Sequence, residues 1–270
     1  MDALRLISAS IRFVIVWIVI LIFALTLVAV PKRNAFGPAY LKFFMNIMMY
    51  ITGIRAKVHG KLTNERPLLI VSNHMSILDI GIIAMLFGNG FFAKRELRKL
   101  PLIGYMMDKF GTIFVDRRPS YAARSNEKVK KQMKVATWPM VIFPEGTTTN
   151  GSYVKPFKST LFNFLEKDGR VEGATIQPVV LAYRTPGGRK ISDADLAEHY
   201  AYFDNAKQDE GPHCSKERTI FGLLFHIMAM GGILAEVYIL PTTPLDGLKN
   251  RKELATKLQK IVADEYRRVK

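Results

Sequence analysis

A single cysteine, Cys214, stands in the 270 residues, so no disulfide can close within the chain and no cysteine-rich zinc site can be built. Histidine is scarce as well. His59, His74, His199, His213 and His226 lack the close spacing of metal ligands, which argues against a structural metal. Acidic residues are in deficit, 23 Asp and Glu against 39 Lys and Arg, and the net charge of +16 calls for a polyanionic neighbour: an anionic lipid surface, nucleic acid or a phosphorylated ligand. Internal repeats and low-complexity tracts are missing too. With 49% apolar residues, the chain has the material for one substantial packed domain plus an appendage.

Long apolar runs, by contrast, are present. Phe13 to Val30 is uncharged and is bracketed by Arg12 and by Lys32 and Arg33, which is long enough to cross hydrocarbon. A signal peptide would need a shorter apolar core and a small-x-small cleavage site, and Ala29-Val30-Pro31 is a poor one. Tyr40 to Ile54, carrying Lys42 and Asn46, reads as an interfacial or re-entrant helix. These features set apart residues 1–52 as membrane-anchoring helices and residues 53–270 as a second domain.

Beyond Gly53 the pattern changes to short β-like runs between helical segments, which predicts an α/β fold: a mixed, largely parallel sheet flanked by helices. Candidate strands are Leu68 to Val71, Thr112 to Val115, Met140 to Phe143, Ile176 to Tyr183 and Glu236 to Leu240. Candidate helices are Ser76 to Leu86, Ala122 to Ala136, Lys158 to Glu166 and the tail from Asn250, where Asn250 and Glu253 make an N-cap pattern. Arg184 to Glu217 reads as a polar surface excursion, and Thr219 to Ala235 as one apolar helix packed on the domain.

Residues 73 to 79, NHMSILD, follow the apolar run LLIV. A histidine takes a proton from a hydroxyl at neutral pH when one ring nitrogen is free and a carboxylate holds the other. In a straight helix His74 and Asp79 would sit about 140° apart. If a strand ends near Ser72 and a helix begins near Ser76, His74 lies in the turn and Asp79 can reach back to it. Ser76-x-x-Asp79 is also a capping box, a role compatible with the first.

Three further segments follow in order: GTIFVDR (Gly111 to Arg117), FPEGTTTNG (Phe143 to Gly151) and IQPVVL (Ile176 to Leu181). Together with NHMSILD, at these separations and after an apolar N-terminus, they resemble the glycerolipid acyltransferase family that includes lysophosphatidate acyltransferases, over roughly residues 53 to 183. The resemblance implies an O-acyltransferase that moves a fatty acyl group from acyl-CoA or acyl-ACP, as co-substrate and without a further cofactor or metal, to the free hydroxyl of a lysolipid. The first expectation for that lysolipid is 1-acylglycerol 3-phosphate. It makes His74 the general base, Asp79 its orienting carboxylate, Arg117 the acceptor's phosphate ligand and Glu145 a residue that helps place the acceptor. Gly146 and Thr147 would turn backbone N–H groups toward the reacting carbonyl, and Lys94 and Lys158 are further candidates for the phosphate. The third motif departs from the commonest family form, EGTRS: Thr148 stands where a cation is expected, and the stretch resembles relatives that acylate other lysophospholipids or lyso-ornithine lipid. Partners are then membrane lipid, the lysolipid and the acyl carrier, with no nucleic acid and with the catalytic domain on the cytoplasmic face of a membrane.

Other readings fare worse on the residues. GTTTNGSY has the glycine spacing of a phosphate loop but lacks its lysine, GNGFFA follows a helix instead of a strand, and no G-x-S-x-G elbow occurs. A membrane-tethered, non-enzymatic binder of anionic lipid or nucleic acid rests on Lys128, Lys130, Lys131 and Lys134, with no recognised nucleic-acid module beside them.

Overall fold

In the computed structural model the described residues are 3–29, 36–88, 90–94, 98–99, 103–110, 112–115, 122–165, 171, 173–200, 219–244 and 250–270. In chain order the elements are α1 (Ala3–Ala29), α2 (Phe36–Thr52), β1 (Ile54–His59), β2 (Leu68–Ser72), α3 (Leu78–Phe87), β3 (Gly90–Lys94), α4 (Ile103–Lys109), β4 (Ile113–Val115), α5 (Ala122–Val135) and β5 (Met140–Ile142). A 3₁₀ helix (Ser159–Leu165), β6 (Thr175–Arg184), α6 (Asp193–Asp195) running into a π-helical turn (Leu196–Tyr200), α7 (Ile220–Ala229), β7 (Ile233–Ile239) and α8 (Arg251–Val269) complete it.

Among the described residues the strands form one seven-stranded sheet in the order β1-β7-β6-β2-β5-β3-β4. Every neighbouring pair is parallel except β6 with β7, so β1 and β7 run against the other five strands. The sheet is therefore mixed and largely parallel, with helices around it, as the alternation of short runs and helical segments predicts. Central β2 reads LLIVS and is buried throughout, the pattern of a parallel strand covered on both faces. Each of its fully buried aliphatic side chains contributes about 1.5–3 kcal/mol relative to exposure. Edge strand β1 instead carries Arg55 and Lys57 among its apolar residues, which guards an open edge against further pairing.

Two strands go beyond the sequence reading. β1 was hidden because half of it is basic, and β3 because GFFAK directly follows a helix. The run Thr219 to Ala235, expected as one helix, divides: α7 ends at Ala229, Gly231 and Gly232 take left-handed φ of 91° and 104°, and the chain leaves as β7. The break is built in, because a Cβ on Gly232 would lie 2.1 Å from the Gly53 carbonyl oxygen.

The N-terminal helices share the domain's apolar core. Ala9, Val16, Phe23 and Leu27 form one buried stripe along the whole of α1. Phe13 and Trp17 meet Phe225 and Phe221 of α7 near the middle of the helix, and Phe23 joins Tyr40, Phe44 and Phe110 toward its C-terminal end. Lys109 donates its ammonium to the Leu27 carbonyl at 2.9 Å, neutralising the negative end of α1. The opposite face is a row of exposed apolar side chains, among them Ile11, Val14, Ile18, Leu21 and Leu25. This is the one helix among the described residues long and apolar enough to cross a membrane.

Candidate active site

β2 and β5 are adjacent and parallel, with Val71 opposite Ile142. Continuing that register past both strand ends brings NHMSILD alongside FPEG. Backbone bonds lock the two turns together: the His74 N–H donates to Glu145 Oε1 at 2.7 Å, and the Thr149 N–H donates to the His74 carbonyl at 3.0 Å. Asn73 ties the first turn to β6 on its other side, giving Nδ2 to the Leu181 carbonyl and accepting the Leu181 N–H.

His74 Nδ1 lies 2.8 Å from Asp79 Oδ2. The same oxygen accepts the N–H groups of Met75 and Ser76 at 2.8 and 2.9 Å, so Asp79 holds the turn's amides and the imidazole at once. The reciprocal half of the expected capping box does not form, since the Asp79 N–H donates to the Ser76 carbonyl instead of its hydroxyl. Its other oxygen, Oδ1, accepts the hydroxyl of Tyr183. Asp79 is fully buried, while the His74 side chain keeps 13% of its surface open. With Nδ1 donating to the carboxylate, Nε2 carries the lone pair, and it makes no hydrogen bond among the described residues. Phe143 lies flat on the ring at 4.1 Å between centroids, fixing its plane. Burial and then the neighbouring Asp79 charge push the Tyr183 hydroxyl well above the usual tyrosine range, which keeps it a donor.

Glu145 is only 2% exposed. Both its oxygens are occupied by backbone donors, Oε1 by His74 and Oε2 by Lys155 at 2.8 Å. Burial pushes its carboxyl up to about 8, with the two N–H donors pulling the other way. Gly146 follows with φ of 72°. A Cβ there would come within 2.9 Å of Lys158 Nζ, so the lysine folds over the FPEG turn as its sequence position suggests. The amide of Gly146, expected to face a reacting carbonyl, instead closes the turn by donating to the Phe143 carbonyl at 3.0 Å. Thr147 has no such use for its N–H among the described residues. Lys94 ends β3, on the same rim of the sheet, and Arg117 lies outside the described residues. No group of three or more His, Cys, Asp or Glu among the described residues could hold a metal.

The arrangement, an imidazole at a strand end with one nitrogen held and the other open beside a glycine turn, coincides with a family match over the same strands. Residues 55–182 match the acyltransferase family. The chain is 34% identical over 155 residues to a lyso-ornithine lipid O-acyltransferase of Brucella abortus, covering 56% of this chain and 58% of that one. It is 35% identical over 149 residues to a lyso-ornithine lipid O-acyltransferase of Pseudomonas aeruginosa, covering 53% and 55%. The matched part of this chain thus spans little more than half the length of these relatives. In fold it is similar to the crystal structure of the 1-acyl-sn-glycerophosphate acyltransferase PlsC from Thermotoga maritima, with a TM-score of 0.63 and 17% identity over 100% of this chain and 98% of that one.

Around His74, sequence reasoning found Asp79, Glu145 and Lys158 but passed over four residues that shape the site. Asn73 and Phe143 stood inside the quoted motifs and lacked only a role. Thr149 stood inside FPEGTTTNG without a role, whereas its amide clamps the His74 turn. Tyr183 lies 104 residues from Asp79 along the chain, and no local pattern reports such a pairing.

Proposed function

We propose that the protein transfers a fatty acyl chain from an acyl thioester to the free hydroxyl of a lysolipid. The single observation that carries this reading is the His74–Asp79 pair with Nε2 open beside the FPEG turn. In the step, Nε2 takes the hydroxyl proton as the oxygen attacks the thioester carbonyl. The tetrahedral intermediate then collapses, the C–S bond breaks, and the imidazolium returns its proton to the departing thiolate. Asp79, fixed by Tyr183 and two amides, steadies the imidazolium. The Thr147 N–H is the backbone donor available to the intermediate's oxyanion.

Glu145 acts by binding the two turns together, and Lys158 and Arg117 supply positive charge for the acceptor or the acyl carrier, coenzyme A or acyl carrier protein. Two acceptors are supported by particular observations. Lyso-ornithine lipid is favoured by the relatives from Brucella and Pseudomonas and by Thr148 in place of a cation. For 1-acylglycerol 3-phosphate, the support is the GTIFVDR motif with its arginine.

The protein works at a membrane surface, its domain on the cytoplasmic face where acyl thioesters are made. Because α1 is seated on the domain from Ala9 to Leu27, it lies along the interface with its exposed apolar face in the lipid, as an interfacial helix does. The test is an acceptor panel with purified protein in detergent, comparing lyso-ornithine lipid, 1-acylglycerol 3-phosphate and lysophosphatidylcholine. Acylation of at least one by a long-chain acyl thioester is expected, and acylation of none contradicts the proposal.

A further inference from the structure

Away from His74, a cavity of about 560 Å³ opens where the third and fourth turns of α1 pass the end of α2 and the starts of β1 and β7. Its wall holds two guanidinium groups, Arg12 and Arg55, beside Ile15, Tyr50 and Ile51. Neither arginine has a carboxylate within ion-pair distance among the described residues.

Both are nevertheless held in place. Arg12 gives Nε and Nη2 to the Ser8 hydroxyl at 3.2 and 2.9 Å. Arg55 gives Nη1 alone to the carbonyls of Met49, Tyr50 and Ile54, with its guanidinium 4.5 Å above the Tyr50 ring. A guanidinium carries five N–H donors, so each keeps several in reserve. Two positioned guanidinium groups without a counter-charge form an anion site, and their fork geometry matches the paired oxygens of a phosphate.

The surroundings identify the anion as a lipid's. Arg12 is the last charge before the uncharged run of α1, which puts it at head-group level when that run meets hydrocarbon. Ile15 belongs both to the cavity wall and to the exposed apolar face of α1, so acyl chains leaving the cavity have an apolar track. The location matters for the rest of the molecule. β1 and β7 run against β2 and β5, so their first residues, which floor the cavity, lie on the same rim of the sheet as His74 and Glu145.

We propose that this cavity binds the phosphodiester head group of an anionic diacyl lipid, at a site separate from the lysolipid acceptor, and so holds the catalytic rim of the sheet against the bilayer. This goes beyond the acyl-transfer reading and is read out by binding, so the two can fail independently.

The test is native mass spectrometry of the full chain in detergent, titrated with dioleoylphosphatidylglycerol, dioleoylphosphatidylcholine or inorganic phosphate. Phosphatidylglycerol adducts are expected on the unaltered protein and on Lys131→Gln/Lys134→Gln, a variant with the same loss of charge on exposed α5. They are expected to weaken at least tenfold in Arg12→Gln and in Arg12→Gln/Arg55→Gln, with phosphatidylcholine and phosphate at least tenfold weaker throughout. Arg12 hydrogen-bonds only to Ser8 among the described residues, so its single variant decides the matter even where Arg55→Gln loosens the end of α2, and an unchanged unfolding temperature checks it. The proposal is overturned by unchanged binding in Arg12→Gln, by an equal loss in the α5 variant, which means diffuse charge, or by phosphate that binds as well as the lipid.

Discussion

Asp79 can orient His74 only while its second oxygen is satisfied, because a buried carboxylate oxygen without a donor is costly. Tyr183 is that donor. Replacing it with phenylalanine leaves the ring's packing and removes one hydrogen bond to a charged group, a loss of about 1–3 kcal/mol. Chemical denaturation of Tyr183→Phe is expected to report a drop of that size. Steady-state kinetics should show kcat falling while the KM for lysolipid holds, since Tyr183 reaches the reaction through Asp79 and is itself fully buried. Unchanged stability with a raised KM would mean that Tyr183 serves the acceptor pocket instead.

At the scale of elements, the site depends on two turns that are far apart in sequence and are clamped by side-chain and backbone bonds. Glu145 joins the His74 turn to Lys155, and burial raises its carboxyl to about 8 against an ordinary 4.5. A carboxyl whose folded pKa exceeds its unfolded one stabilises the fold below the unfolded value and loses that contribution as pH rises through the folded one. The unfolding temperature is therefore expected to decline between about pH 5 and pH 8, and Glu145→Gln should flatten that slope while lowering stability at acid pH. A slope unchanged in Glu145→Gln would assign it to another group.

This scale also explains how much the sequence could show. β2, β5, β6 and α8 announced themselves through apolar runs, a proline-bounded turn and the Asn250 cap, which accepts the N–H groups of Lys252 and Glu253. His74 and Asp79 were legible because strand, turn and helix fall within a dozen residues. The hidden parts depend on distant neighbours: basic β1 is a strand because β7 lies beside it, Gly231 and Gly232 break an apolar run because Gly53 presses on them, and Tyr183 meets Asp79 only through the sheet.

At the scale of the whole molecule, one apolar core links α1 and α2 to the sheet, and a chain of net charge +16 carries its exposed apolar row on α1. These fit a protein that lies on an anionic leaflet, attracted by charge and retained by apolar burial. Under the proposed function, the rim of the sheet that carries His74 would meet lysolipid directly, and the His74 imidazole would supply the proton transfer. The most direct measurement is single-turnover acyl transfer by His74→Ala beside the unaltered protein, in the same detergent and with the acceptor each uses best. A rate lower by about 100-fold or more, with lysolipid still bound, is the expected result. Transfer within a few-fold of the unaltered rate would contradict the account, because the proton would then be leaving by another route.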